Sequence, residues 1–246
     1  MYQENELKNT LYVLFAVCCI AVLSSKTTLA QTNIREIVYI DPFLDHDLIG
    51  RAVKDEKTMK PLLYTLKRLS SEFKAHGIAV KIAPHKMNIE DGVEKAELEH
   101  SSLFLSFSLA KADKQCINIF YPKYEKKIYS QKESAPSVLS NELIDQLGNA
   151  EKETVALESK YNADSISKNL RTYKVENCIE VKESNSYLLK ITSMPTIIIE
   201  FQLPNTDYVP AYLEKNEMID RFDQAIVEAV NKYLSYPIGS PKRKGQ

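Results

Sequence analysis

Glycine is scarce in this chain, six residues in 246, so a glycine-rich loop of the kind that lets backbone approach a ligand closely is excluded as the basis of a site. An excess of charge of either sign is missing too. With 32 Lys and Arg against 33 Asp and Glu, nothing in the net charge points to nucleic acid or to a strongly anionic surface as partner. Cysteine is sparse, and Cys18 and Cys19 lie in the N-terminal segment, leaving Cys116 and Cys178. Those two either pair in an oxidising compartment or stay as isolated buried thiols; neither has metal-ligand spacing to a neighbour.

The longest apolar run near the N-terminus, Leu11 to Leu23, is too short for a comfortable membrane span but suits the core of a secretory signal peptide. Small Thr28 and Ala30 follow where a signal peptidase would read, which predicts cleavage after Ala30. The leader is poorly basic, with Lys8 offset by Glu4 and Glu6, so an uncleaved anchor is the alternative, and membrane contact is expected only in that case. Phe15-Ala16-Val17 before Cys18 matches a lipobox poorly. The expectation is a secreted or periplasmic chain: residues 1–30 a leader, residues 31–235 one α/β domain, and residues 236–246 a disordered tail with a solvated Lys-Arg-Lys cluster.

What is present is organised around Pro195 to Asn205. Its three consecutive isoleucines, Ile197 to Ile199, suit a central strand covered on both faces. Glu200 is the anomaly, a carboxylate at the expected C-terminal end of that strand, either a catalytic base or a paired structural charge. The other expected strands are near residues 36–41, 78–83, 103–108 and 116–121. Apolar spacing of three and four from Met59 to Phe73 predicts a helix over 58–75, stopped at His76-Gly77, with Gly77 past its end and His76 as a partner of the helix dipole. A short helical pattern runs through Val93, Ala96 and Leu98. Helices are expected near 137–147 and 151–159, in a poorly informative segment from Lys123 to Asn177 that reads as an outer helical region. Ser186 to Ile191 reads as a short strand or turn, and 218–234 as a closing helix. The loop Phe43 to Gly50 sets His46 between Asp45 and Asp47, a weak metal signal or a solvated turn.

In order and content, Ile37-Val-Tyr-Ile-Asp-Pro42, the helix ending at Gly77, Ser102-Leu-Phe-Leu-Ser-Phe-Ser108, Asn185 to Leu189, and Met194-Pro-Thr-Ile-Ile-Ile-Glu200-Phe-Gln-Leu-Pro-Asn205 resemble the zinc-dependent N-acetylmuramoyl-L-alanine amidases. The resemblance implies a three-layer α/β fold with a central, mostly parallel sheet flanked by helices. It also implies a zinc ion held by two histidines and a glutamate, and a second glutamate that activates the attacking water. Glu200 takes the position of that second glutamate. Glu56 is the nearest match to the metal-binding glutamate, with Asp55 or a shifted register serving about as well. The histidines do not carry over. Where the family has Gly-His-Gly-Gly after Asp-Pro, this chain reads Phe43-Leu44-Asp45-His46, and Ser108 stands where a Ser-Ile-His motif would supply the second imidazole.

A serine hydroxyl does not normally hold zinc, and His46 with Glu56 alone makes an open, weak site. His76 and His100 fall at or near helix ends and His85 follows a strand exit; a different arrangement using His85 or His100 is left open. Three readings follow. The first is an amidase-like protein of the cell envelope, catalytically impaired, with no cofactor expected, whose partner is peptidoglycan or a cell-envelope protein. The second is an active amidase with a zinc site not evident in the sequence. The third is a metal-free hydrolase pairing Glu200 with Asp41 or Asp47.

Overall fold

In a computed structural model, the chain is described over residues 36–42, 56–84, 87–124, 139–204 and 216–236, the side chains at 56–59, 139–147 and 216 excepted. The elements in order are β1 (Ile37–Pro42), α1 (Glu56–Ala75), β2 (Ala79–Ile82), α2 (Ile89–Leu98), β3 (Leu103–Lys111), β4 (Cys116–Pro122), α3 (Leu139–Thr172), β5 (Ile179–Ser184), α4 (Tyr187–Ile191), β6 (Thr196–Leu203) and α5 (Asn216–Leu234). Six strands form one sheet in the order β2-β1-β3-β6-β4-β5. Every neighbouring pair is parallel except β4 with β6.

β6 is central, between β3 and β4, as its isoleucines require. Ile197 and Ile199 join a large core with Leu62, Leu66, Leu69 and Phe73 of α1, Ile166 and Leu170 of α3, and Phe222, Ile226 and Val230 of α5. Ile198 points the other way, to a smaller core with Tyr39, Phe104, Ile89 and Val93 of α2, and Leu188 and Leu189 of α4. The alternation of a strand therefore sends one isoleucine to each helical layer in turn. Fully burying such a side chain stabilises by about 1.5–3 kcal/mol.

Helix ends explain two of the chain's histidines. Gly77 has φ 77°, and Ile78 N–H reaches Phe73 O at 3.0 Å while Gly77 N–H reaches Lys74 O at 3.0 Å, a left-handed stop for α1. The Nδ1 of His76 lies 2.9 Å from Glu72 O, so this ring serves the helix terminus. His100 takes φ 52° and closes α2 by the same two bonds, Ser101 N–H to Ala96 O and His100 N–H to Glu97 O. Lys174, also at φ 52°, ends α3. With glycine scarce, two stops are made by residues that tolerate this conformation poorly.

The structure corrects several expectations. Ser186 to Ile191 is not a strand or turn. Ser186 caps α4 by accepting the Leu189 N–H, and the helix buries Leu188 and Leu189. The helices expected near 137–147 and 151–159 are one helix, α3, which runs on through Thr172. Strand β5 was hidden because only Ile179 is buried among its mostly partly exposed residues at a sheet edge. Among the described residues no helix is long and apolar enough to cross a membrane.

Candidate functional site

Side chains on the α2/α4 face of the sheet change character along the strands. Tyr39, Phe104, Ile198 and Phe120 are apolar and packed under the two short helices. Farther on, register sets Ser108 of β3 beside Glu200 of β6, Glu200 beside Asn118 of β4, and Asn118 beside Glu180 of β5. The result is a polar row across four strands. Residues two apart on a strand share a face, so Ser106 and Gln202 belong to the same surface, and Asp41 of β1 is the register partner of Ser106.

Glu200 is 2% exposed and does not end its strand, contrary to the expectation; β6 continues for three residues to Leu203. Its Oε1 accepts a hydrogen bond from Gln202 Nε2 at 2.9 Å and another from Asn118 Nδ2 at 3.3 Å. Asn118 is itself 1% exposed, and its Oδ1 accepts from Lys182 Nζ at 3.2 Å. Lys182 Nζ also lies 2.5 Å from Glu180 Oε2. Hydrogen bonding to Lys182, then to Lys114, holds the Glu180 carboxyl below its usual range. A buried carboxylate is thus tied through the Asn118 amide to an exposed ion pair at the sheet edge.

The other side of Glu200 is different. Ser108 is 3% exposed and Ser106 fully buried, and among the described residues neither hydroxyl has a hydrogen-bond partner of normal geometry. Asp41 keeps part of its surface in water, yet it is enclosed densely enough that burial pushes its carboxyl up to about 7, against the opposing pull of the nearby Ser106 hydroxyl. Asp41 and Glu200 stand two strands and one two-residue step apart, about 12 Å between their backbones from ordinary strand spacings. That is too far for the two carboxyls to share one proton.

Of the residues singled out from the sequence, Glu200 and Ser108 are brought together as adjacent register partners. Glu56 is the first residue of α1, with its side chain outside the described set, and His46, Asp47 and His85 also lie outside the described residues. His76 and His100 are occupied with helix ends and take no part. Sequence reasoning missed Asn118, Gln202 and Lys182. A signal for Asn118 existed: it is the one amide in the apolar strand Cys116 to Tyr121, two residues from Phe120 and so on the face that carries Glu200.

The described donors around Glu200 do not fit zinc, because hydroxyls and carboxamides are neutral oxygen and amide groups where zinc takes imidazole, thiolate or carboxylate. Among the described residues the one cluster with metal-ligand chemistry is Cys116, Cys178 and Glu180, and its two cysteines are joined in a disulfide. Of the two readings of those cysteines, the paired one holds.

Comparison with known proteins agrees with the fold. Residues 49–232 match the family model described as N-acetylmuramoyl-L-alanine amidase. No curated protein sequence matches significantly. Among solved structures, the catalytic domain of CwlV, an N-acetylmuramoyl-L-alanine amidase from Bacillus (Paenibacillus) polymyxa var. colistinus, superposes with a TM-score of 0.56 at 16% identity, over 82% of this chain and 99% of that one. The amidase Ami1 from Mycobacterium smegmatis gives 0.54 at 14% identity, over 81% and 96%. An N-acetylmuramoyl-L-alanine amidase from Clostridium difficile 630 gives 0.51 at 18% identity, over 81% and 96%. At these identities the likeness speaks for the fold.

Proposed function

The chain belongs to the N-acetylmuramoyl-L-alanine amidase family, and from that premise we propose that it is a secreted, catalytically impaired member that binds peptidoglycan, or a cell-envelope protein, without cutting the amide between muramic acid and L-alanine. One observation carries the reading. Where the family resemblance calls for an imidazole beside the general base, the register partner of Glu200 is Ser108, whose buried hydroxyl is a poor metal donor. Glu200 Oε1 is moreover already engaged by two donors, the Asn118 and Gln202 amides. The apolar leader and the disulfide favour an oxidising compartment outside the cytoplasm.

The test uses the purified chain, peptidoglycan sacculi and added zinc. Co-sedimentation with sacculi and no free stem peptide is the expected result. Release of stem peptide that is abolished by Glu200→Ala would establish an active amidase and overturn the reading. A partial gain of zinc binding in Ser108→His, measured with no substrate, would support the assignment of that position as a lost ligand.

A further inference from the structure

A cavity lies away from the polar row, where β4 and β5 finish. Pro122, Lys123 and Tyr124 leave β4, Ser184 and Asn185 leave β5, and α3 and α4 close the sides; the space holds about 340 Å³. Asn118, the nearest member of the polar row on β4, is four residues back from Pro122, about 13 Å along the strand. The two places therefore do not overlap.

Its wall has one sign of charge. Lys123, Lys152 and Lys190 line it, and no aspartate or glutamate among the described residues does. The neighbouring acid Glu153 is bonded to the Tyr124 hydroxyl, which helps, after burial, to raise that phenol. Lys152 on α3 and Lys190 on α4 have no carboxylate three or four residues away on their own helices: positions 148, 149, 155 and 156 are Gly, Asn, Val and Ala, and positions 186, 187, 193 and 194 are Ser, Tyr, Ser and Met. The ammonium groups of Lys152 and Lys190 beside one small space repel each other, and an anion between them relieves that repulsion.

An independent feature points the same way. Thr192, which lines the cavity, is 9% exposed, and its Oγ1 has no hydrogen-bond partner among the described residues. A buried hydroxyl without a partner costs about 1–3 kcal/mol, which an acceptor atom of a ligand would recover. Beside the polar Asn149, Ser184 and Asn185, the lining carries apolar surface from Pro122, Val155, Ala156 and Leu189. Those surfaces suit a short carbon chain better than a bare inorganic ion.

We propose that this cavity is a binding site for a small organic dianion, two carboxylates on a short carbon chain, held by Lys152 and Lys190 at its charged wall and by the Thr192 hydroxyl at its buried one. The proposal stands apart from the reading of the Glu200 site. Titration calorimetry on the full chain with glutarate, glutaramide and inorganic phosphate, in the absence of peptidoglycan, tests it. Saturable one-to-one binding of glutarate, with none of the neutral diamide, is expected. The exposed double variant Lys152→Gln/Lys190→Gln should weaken it by about tenfold or more, and Thr192→Val by severalfold, with melting curves verifying that each variant is folded. No glutarate binding in the millimolar range, or unchanged binding in the double lysine variant, would overturn the proposal. Phosphate binding as tightly as glutarate would overturn the dicarboxylate assignment, since it would mean that charge alone is being recognised.

Discussion

The two faces of the sheet are built on different terms. Against α1, α3 and α5, Val38 and Ile40 of β1, Leu103 to Leu109 of β3 at alternate positions, and Ile197 to Leu203 of β6 at alternate positions are all apolar and almost without exposure. Against α2 and α4 the same strands carry Tyr39 then Asp41, Phe104 then Ser106 and Ser108, and Ile198 then Glu200 and Gln202. The first face is uniform because it only has to be buried. The second begins as core and ends as a polar row whose Ser106 and Ser108 hydroxyls have no partner among the described residues, an arrangement that stabilises nothing by itself and is the usual mark of a site.

Substitutions of similar reach on β6 should separate the faces most strongly. Phe201 is 1% exposed, with its ring centroid 5.3 Å from that of Phe222 on α5, so Phe201→Ala should cost about 3–5 kcal/mol in denaturant unfolding. Glu200→Gln, one residue earlier on the other face, keeps an oxygen to accept from Asn118 and Gln202 and should change stability by about 1 kcal/mol or less. Equal losses at the two positions would mean that the polar row is a structural element, not a site.

The apolar face was the legible one. Three isoleucines in a row and the spacing of Leu62, Leu66, Leu69 and Phe73 report burial directly, since few other environments tolerate them. The other face was read only where a single residue broke a pattern, as Glu200 does. Asn118 and Gln202 matter through partners on other strands, and register is a tertiary property that no window of sequence contains. β5 escaped for a related reason, because an edge strand with Glu180, Lys182 and Glu183 has little apolar periodicity. Helix α4 was lost to its length: five residues of Tyr-Leu-Leu-Lys-Ile are equally plausible as a strand until Ser186 is recognised as a cap.

The disulfide supports the thinner side. Cys116 opens β4 next to the polar row and joins Cys178 just before β5, across 62 residues of chain. On the chain-entropy account a loop of that length is worth about 4 kcal/mol, so reduction should lower the denaturant midpoint markedly, and Cys116→Ala/Cys178→Ala should behave as the reduced protein does. An unchanged midpoint on reduction would assign the stability of the β4/β5 edge to packing alone.

Acid groups on both faces add a pH dependence of the same sign. Burial pushes Asp41 on the polar face and Asp223 on α5 up to about 7, Asp223 doing so despite its contacts with Arg68 on α1. Both folded-state values exceed the ordinary carboxylate value of the unfolded chain, so the folded protein holds more protons. Stability from these groups is therefore present below about pH 4 and is lost as pH rises through about 7. Thermal melts should fall between pH 4.5 and 7.5. Asp41→Asn should flatten part of that slope with little other cost, whereas Asp223→Asn should also lose one of the two charged partners of Arg68, Asp220 remaining as the other. A melting temperature that climbs over this range would contradict the assignment for both.

The smallest effect tests whether the contrast between faces is one of side-chain burial alone. His100 ends α2 on the polar side and Lys174 ends α3 on the apolar side, both exposed and both at φ 52°. An L-residue in that conformation costs about 1–2 kcal/mol, and glycine there removes the strain while adding about 0.4–1 kcal/mol of chain entropy to the unfolded state. His100→Gly and Lys174→Gly should therefore each stabilise by about 0.5–1 kcal/mol, with nearly equal gains, because backbone strain at a helix stop does not depend on which layer the helix covers. Denaturant midpoints for the two variants read this directly. A gain at Lys174 with a loss at His100 would show that the imidazole makes a contact on the polar side worth more than the strain it carries, and would return His100 to the list of residues that serve the site.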